Sequence, residues 1–141
     1  MIEYREIPDT NIVEVMLDGH VNAEEYHDMA EKVLASIEKH GKLRVLKEIR
    51  AITGVDMGIF KEKLILSVLK HFFDFTGAAL VCDQAWIEHL NRLLTPIYTY
   101  PVRYFKLAQI EEAREWLKSL PATAPPKPLE PAHIGGSDGQ N

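Results

Sequence analysis

The side chains that could do chemistry in this 141-residue chain are six histidines, one cysteine and the acidic residues that follow its apolar runs. Open α/β sheets bind ligands just outside the C-terminal ends of their parallel strands. That rule selects Asp18 and His20 after the run Ile12–Leu17, Glu48 and Arg50 at the end of Leu43–Ile49, and Asp83 after Ala78–Cys82. Asp56 stands at the start of the helix expected next, as its N-cap. Within such a crevice, Glu48 and Asp83 could act as an acid–base pair. The competing reading has Asp83 capping a helix and Glu48 paired with a neighbouring Lys or Arg. An enclosed polar pocket joining Glu48, Asp83 and His20 would favour an enzyme. Separate positions, each with a local partner, would favour a non-catalytic module. Cys82 ends an apolar strand, where a thiol is ordinarily a small hydrophobe. A nucleophilic role would need a histidine placed to activate it, and the sequence places none. Of the other histidines, His27 and His89 fall on polar helix sides, His40 in a last helical turn, His71 singly on an apolar helix and His133 in the C-terminal tail. The chain has no G-x-G-x-x-G, Walker A or H-E-x-x-H motif, and one cysteine cannot form a Cys-pair zinc site. The reading is therefore of no catalytic residue, no metal and no cofactor.

Composition narrows the class further. Apolar residues are 46% and charged residues 26%, which is ordinary for one globular domain. A net charge of -5 has the wrong sign for a general nucleic-acid binder. No run of 18 apolar residues occurs, so stable membrane insertion is not expected. A single cysteine excludes an internal disulfide framework and makes the reducing cytoplasm the expected compartment. Residues 121–141 hold five of the eight prolines and three of the eight glycines. They read as a Pro/Gly-rich disordered tail behind a domain spanning 1–120. The tail is expected to be a solubilising terminus rather than a ligand for an aromatic-lined groove.

The elements that must position the candidate residues alternate between strand and helix patterns. Glu3–Ile7 and Ile12–Leu17 read as an antiparallel hairpin around Pro8-Asp9-Thr10-Asn11. The first helix has Asn22 as N-cap, Glu25 three residues on, and Val21 placed to staple against Tyr26. Its buried face is Tyr26, Met29, Ala30, Val33, Leu34 and Ile37, and Gly41 closes it. Leu43–Ile49, Ala78–Cys82 and Pro101–Phe105 are the later strands. The helices between and after them are Ile59–Phe73, one beginning at Asp83 with inner stripe Trp86, Ile87, Leu90, Leu93 and Leu94, and a closing helix through Ile110, Ala113 and Leu117. The order β-β-α-β-α-β-α-β-α predicts an α/β fold: a mostly parallel sheet of four or five strands, one N-terminal antiparallel strand and four helices.

Five segments in this order resemble the SpoIIAA-like family of small bacterial proteins. Asp18-Gly19-His20-Val21-Asn22-Ala23-Glu24-Glu25-Tyr26 resembles its approach to the first helix, and His40-Gly41-Lys42-Leu43-Arg44-Val45-Leu46 its "HGKIRLL" segment. Leu69–Phe75 is similar to "LKHFxDF", Val81–Trp86 to "VGDxxW", and Val102–Phe105 to the closing strand "VRxF". The resemblance covers about residues 1–120. It implies a STAS-like fold, often grouped with CRAL-TRIO-type lipid-binding folds, and a binding or protein-interaction role without a shared reaction. Anti-sigma-factor antagonists of STAS type carry a phosphorylated serine in an Asp-Ser pair at the start of the helix after the third strand. The equivalent stretch here, Thr53–Gly58, has no serine, and Asp56 already supplies a carboxylate. Thr53 is its only hydroxyl.

The second helix is more apolar than a sheet-packed helix requires. Phe60, Leu64, Ile65, Val68, Leu69 and Phe72 cover one side, and Ile59, Leu66 and Phe73 continue round the other. A helix on a sheet needs roughly a 100° apolar stripe, and this one has about twice that. The excess predicts a covering neighbour: adjacent helices, a second copy of the chain in a homodimer, another protein, or an apolar small molecule. Ile59, Lys63, Leu66, Lys70 and Phe73 are the expected contact residues, with the two lysines able to meet a ligand carboxylate or phosphate.

Overall fold

The computed structural model describes residues 1–60 and 74–122. Five strands form one sheet in the order β1-β2-β3-β4-β5: Ile2–Glu6, Ile12–Val21, Leu43–Val55, Phe75–Cys82 and Val102–Phe105. β1 runs antiparallel to β2, and each later neighbour pair is parallel. Three α-helices are described: α1 (Ala23–His40), α2 (Ala85–Leu94) and α3 (Ile110–Ser119). Short 3-10 turns span Met57–Phe60, Thr95–Ile97 and Leu107–Gln109. The strand and helix types follow the sequence patterns in order. Most of the expected second helix, residues 61–73, lies outside the described residues, and so do Lys63, Leu66, Lys70 and Phe73. Ile59 is described and sits in the Met57–Phe60 turn. Residues 123–141 are also outside the described residues. The described chain ends with the Ala122 carbonyl held by Asn11 Nδ2 at 2.9 Å and Thr76 Oγ1 at 3.3 Å.

Alternation along the strands divides the core between two faces. Val13, Val15, Leu17 and Val21 point to the face covered by α1, where Met29 and Ile37 meet them. Ile12, Leu46, Ala79, Val81 and Phe105 point to the other face, against Ala113 and Leu117 of α3. α1 begins as its sequence dictates: the Asn22 side chain accepts from Glu25 N at 2.8 Å. Glu25 reaches beyond the cap, its Oε1 accepting from Ile2 N at 3.0 Å and so tying α1 to β1. Gly41, at φ 82°, ends the helix and donates to Ile37 O at 2.6 Å.

The structure corrects several boundaries, among them the start of β4, which begins at Phe75 rather than Ala78. β2 does not stop at Asp18-Gly19 but continues to Val21, because Gly19 adopts φ 74° at a register irregularity that lets the strand go on pairing. β3 runs six residues past Ile49, paired with this extension as far as Val21–Val55. α2 starts at Ala85 with Gln84 at the N-cap, not Asp83, whose carboxylate instead accepts from Leu107 N at 2.9 Å. The expected inner stripe of α2 is also revised. Ile87 is buried, but Trp86 and Leu93 are 58% and 74% exposed, so those two do not belong to the buried face.

Candidate functional site

The uneven lengths of β3 and β4 decide what the strand ends can do. β3 leaves β4 at the pair Ile49–Cys82 and continues with β2 alone. Six further residues carry it roughly 20 Å at about 3.3 Å per residue. His20 and Asp56 lie at the far end of that extension, while Asp83 lies at the near end. The extension of β3 thus sets His20 and Asp56 apart from Asp83.

Each expected crevice residue has a local engagement. His20 Nε2 is 2.6 Å from Asp56 Oδ1, an exposed pair. The other oxygen of Asp56 accepts from Ala23 N at 3.1 Å, so this carboxylate serves the N-terminus of α1. The hydrogen bonds from His20 and then Ala23 hold the Asp56 carboxyl below its ordinary pKa. Glu48 lies within β3 rather than at its end and accepts from Arg50 Nε at 2.7 Å. That hydrogen bond raises the Arg50 pKa, with Asp18 and Glu3 adding negative charge. Asp18 also lies inside β2, where its backbone is clamped by Met1: the N-terminal amine donates to its carbonyl at 2.7 Å. Thr53 lies within β3 and not at a helix N-terminus, so the position expected for a phosphate is absent there. Among the described residues no group of three or more His, Cys, Asp or Glu side chains could hold a metal. No described helix is long and apolar enough to cross a membrane.

The structure instead shows an apolar cavity of about 320 Å³ on the α1 side of the sheet. Among the described residues, Tyr26, Met29 and Val33 of α1, Val45 and Leu80 of the sheet, and Tyr100 line it. Tyr98 and Tyr100 pack with tilted rings 5.6 Å apart between centroids, and Phe75 stands 6.0 Å from Tyr100, giving the cavity an aromatic wall. Burial raises the Tyr98 and Tyr100 phenols above their ordinary pKa, so both stay neutral. Lys47 also lines the cavity, and the desolvation there pushes its pKa down. The α1 residues were legible as a buried face. Lys47 was not, because Lys47-Glu48 within a strand reads as solvent-facing until the register places Lys47 between Val15 and Leu80.

The SpoIIAA-like family model matches residues 12–118. The chain belongs to the SpoIIAA-like family. Among solved structures, this SpoIIAA-like chain is similar to an uncharacterized protein of the DUF3478 family with a SpoIIAA-like fold from Shewanella loihica PV-4. The TM-score is 0.63 at 18% identity, over 83% of this chain and 92% of that one. A putative anti-sigma factor antagonist from Thermotoga maritima aligns at TM-score 0.42 and 15% identity, over 80% of this chain and 94% of that one. No curated protein matches the chain.

Proposed function

We propose that this SpoIIAA-like domain is a non-catalytic binding module that holds an apolar small molecule between α1 and the sheet. The observation that carries the reading is the apolar cavity of about 320 Å³ behind Tyr26, Met29 and Val33. Its volume falls at the lower end of small-molecule sites, which span roughly 300–1,000 Å³. The polar residues that might have served an enzyme support the same reading from the other side. His20, Asp56, Glu48 and Asp83 are each engaged locally, and the extension of β3 sets His20 and Asp56 apart from Asp83. Differential stabilisation of a transition state needs groups converging on one reacting centre, and these do not converge. The module is proposed to work in the cytoplasm, in keeping with its one buried, unpaired cysteine.

Native mass spectrometry of the full chain purified from its own cells tests this. The expected spectrum shows a retained small molecule that organic denaturation releases and that partitions into an apolar phase. Recovery of only polar adducts, or of bare chain that also fails to take up added decanol, would overturn the reading. The same spectrum counts subunits, and so tests the proposed self-association strip Ile59, Leu66 and Phe73. A dimer lost in the Leu66→Gln/Phe73→Gln variant would support that surface, and a monomer would remove it.

A further inference from the structure

We infer that Lys47 makes the α1-side cavity selective for an apolar molecule with a single carboxylate head. The inference rests on the cavity-binding reading above and adds the chemistry of the ligand's polar end. Along β3 the residues facing α1 are Leu43, Val45, Lys47 and Ile49, so one cation interrupts an apolar row. Its cross-strand neighbours are Val15 on β2 and Leu80 on β4, both cavity residues. Structural packing at such a position calls for a β-branched or aliphatic side chain. Lys47 has no hydrogen bond or ion pair among the described residues. Lys47 is half-buried, and drawing an ammonium partly out of water favours a nearby counter-charge.

The surroundings narrow the counter-charge. Among the described residues, the other lining side chains with polar atoms are Tyr26, Tyr98 and Tyr100, whose phenols burial keeps neutral. One cation among neutral groups matches a monoanion. A phosphate dianion would leave one charge unbalanced against apolar walls. The N-terminus of α1 is already occupied by the Asn22 side chain and the Asp56 carboxylate. A carboxylate meeting the Lys47 ammonium, with its hydrocarbon on Val33, Val45 and Leu80, satisfies both ends of the site.

Isothermal titration of the full chain with decanoate, decanol and decylamine, below their aggregation concentrations, tests the inference. Decanoate is expected to bind roughly tenfold or more tighter than decanol, the scale of one charge-assisted hydrogen bond. Decylamine should give no saturable binding. Lys47→Met, checked for native far-ultraviolet circular dichroism, should erase the preference for decanoate and keep decanol binding. Decanol binding as tightly as decanoate in the wild type would overturn the role of Lys47 and leave the apolar cavity reading intact. The same holds if the preference survives in Lys47→Met. Failure of both decanol and decanoate to bind the wild type would overturn the cavity reading and this inference together. The wild-type comparison is decisive even where the variant misfolds.

Discussion

Arg44 Nη1 stands 2.9 Å from the Leu120 carbonyl oxygen and closes the C-terminus of α3. The same nitrogen lies 3.3 Å from the Leu117 and Lys118 carbonyls, and Nε donates to Asn11 Oδ1 at 2.7 Å. The last carbonyls of a helix have no intrahelical donor, so a buried guanidinium here replaces water. Arg44→Met keeps the stem and removes every donor. It should lower the unfolding free energy by about 2–4 kcal/mol, because buried carbonyls lose their partners. Urea denaturation measures this, and a loss under about 0.5 kcal/mol would show that the bonds are replaced by solvent.

Much of the fold was legible because it rests on periodicity and caps that are local in sequence. Asn22, Gly41 and the Met29–Val33–Ile37 face specify α1 without reference to anything distant. What was not legible depends on register between distant strands. The extension of β3 exists only because Gly19 lets β2 continue beside it, so Arg50–Val55 acquires a partner that its own composition does not announce. The separation of His20 and Asp56 from Asp83 has the same origin. The expected crevice assumed strand ends at one level, whereas β3 overruns β4. Lys47 was hidden because its inward direction follows from pairing with Val15 and Leu80.

Gly54 and His20 are cross-strand partners, and a Cβ on Gly54 would lie 2.9 Å from His20 Nδ1. The imidazole is a movable side-chain end, so Gly54→Ala should displace it and leave the fold intact. Asp56 would then lose its His20 hydrogen bond and keep the one from Ala23 N. Its pKa, held low in the native chain, should rise toward the ordinary aspartate value near 3.8. A depressed carboxyl pKa contributes stability above the unfolded-state pKa, and that contribution disappears as pH falls through the folded-state pKa. The variant should therefore show a smaller stability loss on acidification. Carboxyl-detected NMR titration of Asp56 measures the change, and an unmoved titration would show that His20 is not the main cause of the shift.

Glu14 links β2 to α3 by accepting from Arg114 Nε at 2.9 Å and from Arg5 Nη2 at 2.6 Å. Burial alone would raise its pKa, but the hydrogen bonds and charges of the two arginines outweigh burial and set it below the ordinary value. The stability it adds is complete above the unfolded glutamate pKa and is lost as pH falls through the lower folded value. Glu14→Gln should cost about 1–2 kcal/mol at pH 7 and little at pH 2. Equal losses at both pH values would contradict the charge-based assignment.

Ile87 and Leu93 test the revised face of α2. Ile87 is buried, so Ile87→Ala should cost about 2–4 kcal/mol. Leu93 is 74% exposed, so Leu93→Gln should change stability by no more than about 0.5 kcal/mol. Thermal or urea unfolding of the two variants provides the comparison. A reversed order would restore the stripe that the sequence pattern implied.

Methyl NMR of the full chain titrated with decanol tests directly whether the α1-side cavity binds apolar molecules. Saturable shifts are predicted at Val33, Val45 and Leu80, which line the cavity, with Leu46 and Leu117 on the opposite face unmoved. Ala30→Phe, which places a ring in the same space from α1, should abolish those shifts while the remaining spectrum stays native. Non-saturable shifts, or equal shifts on both faces of the sheet, would contradict a binding module built around this cavity.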